Sequence, residues 1–138
     1  MLQRVQSIWL LLAAVFAFLT FKLPFYVGNA LLNNVPTFTN ITAQSTIWLT
    51  IIAALTGAIA FITIFLFNNR KLQLRLCTFG VILTIGLIAL CFLEMSKFSS
   101  GSLALSCIIY FAVLGFYILA ISGIRKDERL IKSMDRLR

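Results

Sequence analysis

Four long apolar stretches fill most of this 138-residue chain, and polar or charged residues bound each of them. The stretches are Ile8–Leu23, Ile47–Phe67, Leu76–Leu93 and Leu103–Ile124. About 20 apolar residues, at a helical rise of about 1.5 Å each, cross a hydrocarbon core about 30 Å thick. A chain this short could not bury so much apolar surface in water. The pattern therefore predicts an all-α polytopic membrane protein, a four-transmembrane-helix bundle with short loops.

Composition supports this class and leaves room for a single membrane domain over residues 1–138. Only 12% of the residues are charged, whereas about 25% are charged in an average soluble domain. The expected helices cover about residues 5–26, 47–67, 76–95 and 103–124, followed by a tail at 125–138.

Basic residues predict how the chain is oriented in the membrane. The chain has a net charge of +8. In a soluble protein such a charge would suggest nucleic-acid binding. Here ten of the twelve basic residues fall in the N-terminus, the loop at 68–75 and the tail, and only Lys22 and Lys97 flank the opposite side. Because cytoplasmic loops carry the excess of Lys and Arg, both termini are predicted to be cytoplasmic, with no nucleic-acid partner.

The tail predicts a basic amphipathic C-terminal helix. Leu130, Ile131, Met134 and Leu137 share one helical face. The tail either continues helix four or lies on the inner membrane surface, with its basic residues toward anionic lipid headgroups. Arg4 lies on the same side of the membrane and is a candidate partner of the acidic tail residues. The candidate contacts to lipid or to a partner protein are Arg4, Arg125, Lys126, Arg129, Lys132 and Arg136.

Small residues in the predicted spans indicate where helices approach closely. Ala53 and Gly57 are spaced four apart, as in the small-xxx-small pattern of packed membrane helices. Gly80 and Gly115 are the corresponding candidates in helices three and four. These positions either pack the bundle internally or form a face for another membrane protein.

The segment 27–46 is the longest piece predicted outside the membrane on the side opposite the termini. It contains no charged residue, and its apolar residues alternate weakly. A short hairpin and a loop lying on the helix ends are both compatible with it.

The two ends of the chain resemble a known family. An opening Gln-Arg-Val-Gln-Ser-Ile-Trp-Leu-Leu-Leu-Ala and a closing Ile-Arg-Lys-Asp-Glu-Arg-Leu-Ile-Lys-Ser-Met-Asp-Arg-Leu-Arg are similar to DUF4293 sequences. The resemblance implies a small four-helix membrane protein of Bacteroidota, located in the bacterial cytoplasmic (inner) membrane. That family has no assigned function, so the resemblance carries over no catalytic residue.

Reactive side chains are scarce, and this shapes the functional expectation. The chain has no histidine, and its three cysteines form no CxxC motif. We predict no catalytic residue, no metal site and no cofactor, and therefore no enzyme. We expect a non-enzymatic accessory or scaffolding subunit of a membrane protein complex, bound to lipid and to other membrane proteins. The alternative is a small transporter or an oligomeric pore, although the span centres hold Thr and Ser rather than the ionisable residues typical of transport paths. A water-filled cavity lined by Thr and Ser near the middle of the bilayer would favour this alternative.

Overall fold

The computed structural model describes residues 3–32, 35–66 and 69–135. These residues form four helices and three strands, so the fold is mostly helical. In chain order they are α1 (Gln3–Leu19), β1 (Tyr26–Leu32), β2 (Val35–Ile41), α2 (Ile47–Phe65), α3 (Arg70–Met95), β3 (Phe98–Leu103) and α4 (Cys107–Asp135).

Three of the helices are long and apolar enough to cross a membrane. They are Ile47–Phe65, Arg70–Met95 and Cys107–Leu130. The apolar part of α1, Val5–Leu19, is shorter. Length and composition are thus consistent with a membrane protein.

The helices form a ring in which each packs against two neighbours. α1 lies between α2 and α4, and α3 contacts α2 and α4 on the other side. Two clusters of buried apolar side chains fill the interior. The cluster nearer the chain termini includes Leu10 and Tyr117, and the cluster beneath the strands includes Phe25, Leu49 and Tyr110.

The sequence predicts that the first helix ends near residue 26, but α1 ends at Leu19. Pro24 explains the early end, because proline lacks an N–H and disfavours helical geometry in the residue before it. Tyr110 of α4 then satisfies two carbonyl groups in the turn that follows the helix. Its hydroxyl donates to the carbonyls of Thr20 and Leu23, at 3.0 and 3.1 Å.

A three-stranded antiparallel sheet covers one end of the bundle, and the prediction of a purely helical protein was wrong on this point. Its strand order is β2-β1-β3. β1 and β2 form the hairpin that the sequence left as one of two alternatives. β1 also pairs with β3, and Gly28 lies opposite Gly101. A Cβ on Gly28 would lie 2.7 Å from the Gly101 Cα, so only glycine permits this close approach.

The other helix boundaries also differ from the predicted ones. α3 begins at Arg70 rather than near residue 76, because the Lys, Leu, Gln and Arg residues that precede the apolar run are good helix formers. α4 begins at Cys107 rather than near residue 103, because Phe98–Leu103 pairs with β1. α4 continues to Asp135, so the tail extends helix four, which is one of the two predicted alternatives.

Candidate functional site between α1 and α4

Basic side chains gather where α1 begins, α2 ends, α3 begins and α4 ends; we call this the basic end. Arg125, Lys126 and Arg129 are all exposed there, on the last turns of α4. Arg4 and Lys132 lie within α1 and α4, but the structure does not describe their side chains, and Arg136 lies outside the described residues. The structure thus places three of the six candidate contact residues on one exposed part of α4.

A buried polar pair joins α1 to α4 at the basic end. Gln6 and Asp127 are each only 7% exposed, and the Gln6 side-chain amide donates a hydrogen bond to Oδ2 of Asp127. Gly123 lets the helices meet here, because a Cβ on it would lie 3.0 Å from Gln6 Cγ. An ionised carboxylate accepts up to about four hydrogen bonds, so one amide donor leaves Asp127 with acceptor capacity.

This pair was not predicted from the sequence, in which Arg4 was the candidate partner of Asp127 and the other acidic tail residues and Gln6 was not singled out. A signal was present, since Gln6 occupies the same helical stripe as the buried Leu10, Ala13 and Ala17. A polar residue in an apolar stripe indicates a buried hydrogen-bond partner.

Two cavities flank this part of α4. The smaller, about 160 Å³, contains the buried pair and is lined by Val5, Gln6, Trp9, Gly123, Lys126 and Asp127. The larger, about 550 Å³, is lined by Ile118, Ile121, Ser122, Arg125, Lys126 and Arg129. Lys126 lines both cavities and separates a site with a carboxylate from a site rich in cations.

Aromatic stacking holds in place the Trp9 indole, which lines the smaller cavity. The rings of Trp9 and Phe116 are stacked with centroids 5.9 Å apart, and Phe16 contacts the same Phe116 ring at 5.2 Å. Trp9 is half-buried, so one part of its ring packs against α4 while another part lines the cavity.

The candidate packing residues have different surroundings. Ala53 is fully buried. A Cβ on Gly80 would lie 2.6 Å from Cζ of Tyr117, and one on Gly57 would lie 3.1 Å from Cζ of Phe18. Gly115 differs from the others, because a Cβ there would meet no atom within 4 Å, and the structure therefore does not place it at a close helix contact.

Tyr117 occupies the middle of the helix ring. It is fully buried, and its hydroxyl donates to the carbonyl of Thr56 on α2 at 2.6 Å. The hydroxyls of Thr56 and Thr84 donate to carbonyls of their own helices, each at 2.7 Å. These buried hydroxyls are therefore engaged within the protein, as is common for Ser and Thr in apolar helices.

The remaining reactive groups of the described residues are dispersed. Cys77, Cys91 and Cys107 are free thiols, and Lys97 pairs with Glu94 at 2.7 Å near the sheet. Residues 3–32, 35–66 and 69–135 contain no group of three or more His, Cys, Asp or Glu side chains that could hold a metal ion. The charged groups that lie beside α4 at the basic end are one buried carboxylate and three exposed cations.

Comparison with known proteins gives one match. The sequence profile of DUF4293, described as a domain of unknown function, matches residues 2–137. No curated protein and no solved structure matches the chain. The matched range leaves out only Met1 and Arg138, and it includes the buried Gln6–Asp127 pair and all three strands. The chain belongs to the DUF4293 family.

Proposed function

We propose that this protein spans the bacterial inner membrane four times and serves as a non-enzymatic accessory or scaffolding subunit of a membrane protein complex. The proposal has three parts, which are the fourth span, the orientation and the role as a subunit. Each part is supported by a different observation; one experiment tests the span number and the orientation, and a second tests the role as a subunit.

Contacts along α4 support α1 as the fourth span. At the basic end Gln6 meets Asp127, and at the other end the carbonyls of Thr20 and Leu23 accept from Tyr110. Tyr110 and Asp127 are separated by about 25 Å of helix at 1.5 Å per residue. α1 and the turn that follows it thus run beside α4 for most of the hydrocarbon thickness of about 30 Å.

The distribution of charge supports cytoplasmic termini. Arg70, Lys71 and Arg75 lie on the first turns of α3, at the same end of the bundle as Arg125 and Lys126. By the positive-inside rule this basic end faces the cytoplasm and the sheet faces the opposite side.

Labelling of single cysteines tests the span number and the orientation. A cysteine-free variant of the chain receives Val5→Cys at the start of α1, Ser102→Cys at the sheet or Arg129→Cys at the basic end, all three exposed positions. In intact cells a membrane-impermeant maleimide should label only Ser102→Cys, and all three variants should be labelled after the cells are lysed. Labelling of Val5→Cys in intact cells would contradict a spanning α1, and labelling of Arg129→Cys there would contradict the orientation.

The open edge of β3 is the observation that carries the role as a subunit. β1 occupies the centre of the sheet, so within the described residues the outer edge of β3 has no strand beside it. β3 reads Phe-Ser-Ser-Gly-Ser-Leu, with neither a charge nor a proline. Proteins usually protect edge strands with charged residues or proline. An edge without them is suited to pairing with a strand from a partner.

The matching experiment is purification of the tagged protein from its native membrane in a mild detergent, followed by mass spectrometry. Ser102→Lys places a charge on the β3 edge and should remove a stoichiometric partner. Gln44→Lys places the same charge on an exposed residue outside the strands and should retain it. Equal recovery from both variants would contradict pairing through β3. The transporter alternative stays a prediction, and solute flux into liposomes tests it.

A further inference from the structure

We infer that the two cavities beside α4 together form a binding site for a phospholipid whose headgroup joins a phosphate to a primary ammonium, the phosphatidylethanolamine class. This inference goes beyond the role as a subunit. It depends on the proposed function only in that the basic end lies at the level of the headgroups.

The larger cavity has the chemistry of a phosphate and acyl-chain site. Arg125, Lys126 and Arg129 supply cations, and the Ser122 hydroxyl is a possible hydrogen-bond donor. Guanidinium groups bind phosphate through paired hydrogen bonds. Ile118 and Ile121 line the same cavity one to two turns deeper, where the first part of an acyl chain would lie.

The smaller cavity has the chemistry of an ammonium site. Asp127 supplies a buried carboxylate with remaining acceptor capacity, and Trp9 supplies an aromatic surface that attracts cations. The volume of about 160 Å³ equals roughly five water molecules at about 30 Å³ each. That space is sufficient for an ethylammonium group.

The order of charges along α4 favours a zwitterionic headgroup over an anionic one. Lys126 lies between the two cavities, so a phosphate held by the cations has Asp127 next to it on the adjacent face of the helix. A headgroup without an amine would bring its phosphate near the Asp127 carboxylate, and among the described residues that line the smaller cavity only Lys126 carries a positive charge to offset the repulsion. A trimethylated amine has no N–H to donate to the carboxylate.

Trp9 provides a local probe of this site. The chain has two tryptophans, and Trp48 is 69% exposed at the other end of the bundle. The variant Trp48→Phe therefore leaves Trp9 as the single tryptophan. The variant is reconstituted into vesicles of phosphatidylglycerol, and a lipid with brominated chains and an ethanolamine, choline or glycerol headgroup is added in increasing amounts.

The expected result is preferential quenching of Trp9 by the brominated ethanolamine lipid, by roughly fivefold over the other two, as for one partly exposed ion pair. Asp127→Asn should remove the preference, whereas Glu128→Gln, a change at a neighbouring acid that does not line the smaller cavity, should keep it. If Asp127→Asn fails to fold, the comparison of the three headgroups on the unsubstituted site still decides.

Three results would overturn the inference. Equal quenching by the three lipids would mean that the site does not recognise the amine. Retention of the preference in a folded Asp127→Asn variant would remove the carboxylate from recognition. Loss of quenching at a concentration of soluble phosphoethanolamine no higher than that of the brominated lipid would show that the site takes the free headgroup compound rather than the lipid.

Discussion

Replacement of Gly80 by alanine tests how the centre of the bundle is packed. A Cβ at this position would lie 2.6 Å from Cζ and 2.9 Å from the hydroxyl oxygen of Tyr117. The ring has little room to yield, because Tyr117 is fully buried and its hydroxyl is held by the carbonyl of Thr56. The added methyl group must therefore displace the ring, the helix or both.

Gly86→Ala is the matched control, because it lies on the same helix and its Cβ would meet nothing within 4 Å. Both substitutions gain the same intrinsic helix propensity, about 1 kcal/mol, and this gain cancels in the comparison. Overpacking costs about 1–3 kcal/mol, and loss of an interhelical hydrogen bond in a membrane costs about 0.6 kcal/mol on average. We expect Gly80→Ala to be less stable than Gly86→Ala by about 2–3 kcal/mol.

The assay is reversible unfolding by SDS in mixed micelles, followed by circular dichroism. A double-mutant cycle with Tyr117→Ala identifies the cause, because removal of the ring should make Gly80→Ala neutral or stabilising. Equal stability of Gly80→Ala and Gly86→Ala would refute the packing argument. An unchanged cost of Gly80→Ala in the Tyr117→Ala background would assign the cost to another contact.

Three further substitutions test other parts of the fold. Tyr110→Phe removes the hydroxyl that caps the end of α1 and should lower the free energy of unfolding by about 1 kcal/mol; an unchanged SDS midpoint would contradict this. Gly101→Val would place a Cβ 2.5 Å from the Val27 carbonyl oxygen, and faster amide hydrogen exchange in β1 should follow; retained protection would count against the strand register. Gly57→Leu should lower the thermal stability in detergent, but only modestly, because Phe18 is 52% exposed and can move aside; an unchanged melting profile would remove Gly57 from the helix contact.

The helical part of the fold was predictable because its signal is local. Each long apolar run became the body of a helix, and α4 continues through the tail to Asp135. Glu94 and Lys97 are three residues apart in the sequence, and the structure pairs them at 2.7 Å, so this contact is local as well.

The sheet was not predictable by the same means, because its pairing is not local. β1 and β3 are separated by two whole helices, and Phe98–Leu103 contains three serines and a glycine, which read as a loop. The contact of Gly28 with Gly101 depends on a register that no periodicity of one chain reveals.

The candidate site was predictable in part. Charge counting identified the basic residues of α4, and the structure places Arg125, Lys126 and Arg129 around one cavity. Charge counting could not identify Gln6 as the partner of Asp127, because that contact joins residues near opposite ends of the chain. The spacing of small residues likewise could not show that Gly115, a predicted packing residue, has open space beside it.

The most direct test of the role as a subunit is the native mass of the complex released from the membrane in a mild detergent. The chain alone has a mass of 15.5 kDa. The account predicts a complex that contains at least one unlike chain in fixed stoichiometry, and therefore a protein mass that is not a multiple of this value. A protein mass equal to one chain, or to a whole number of copies of it, would contradict the proposed role as a subunit and favour transport by a homo-oligomer.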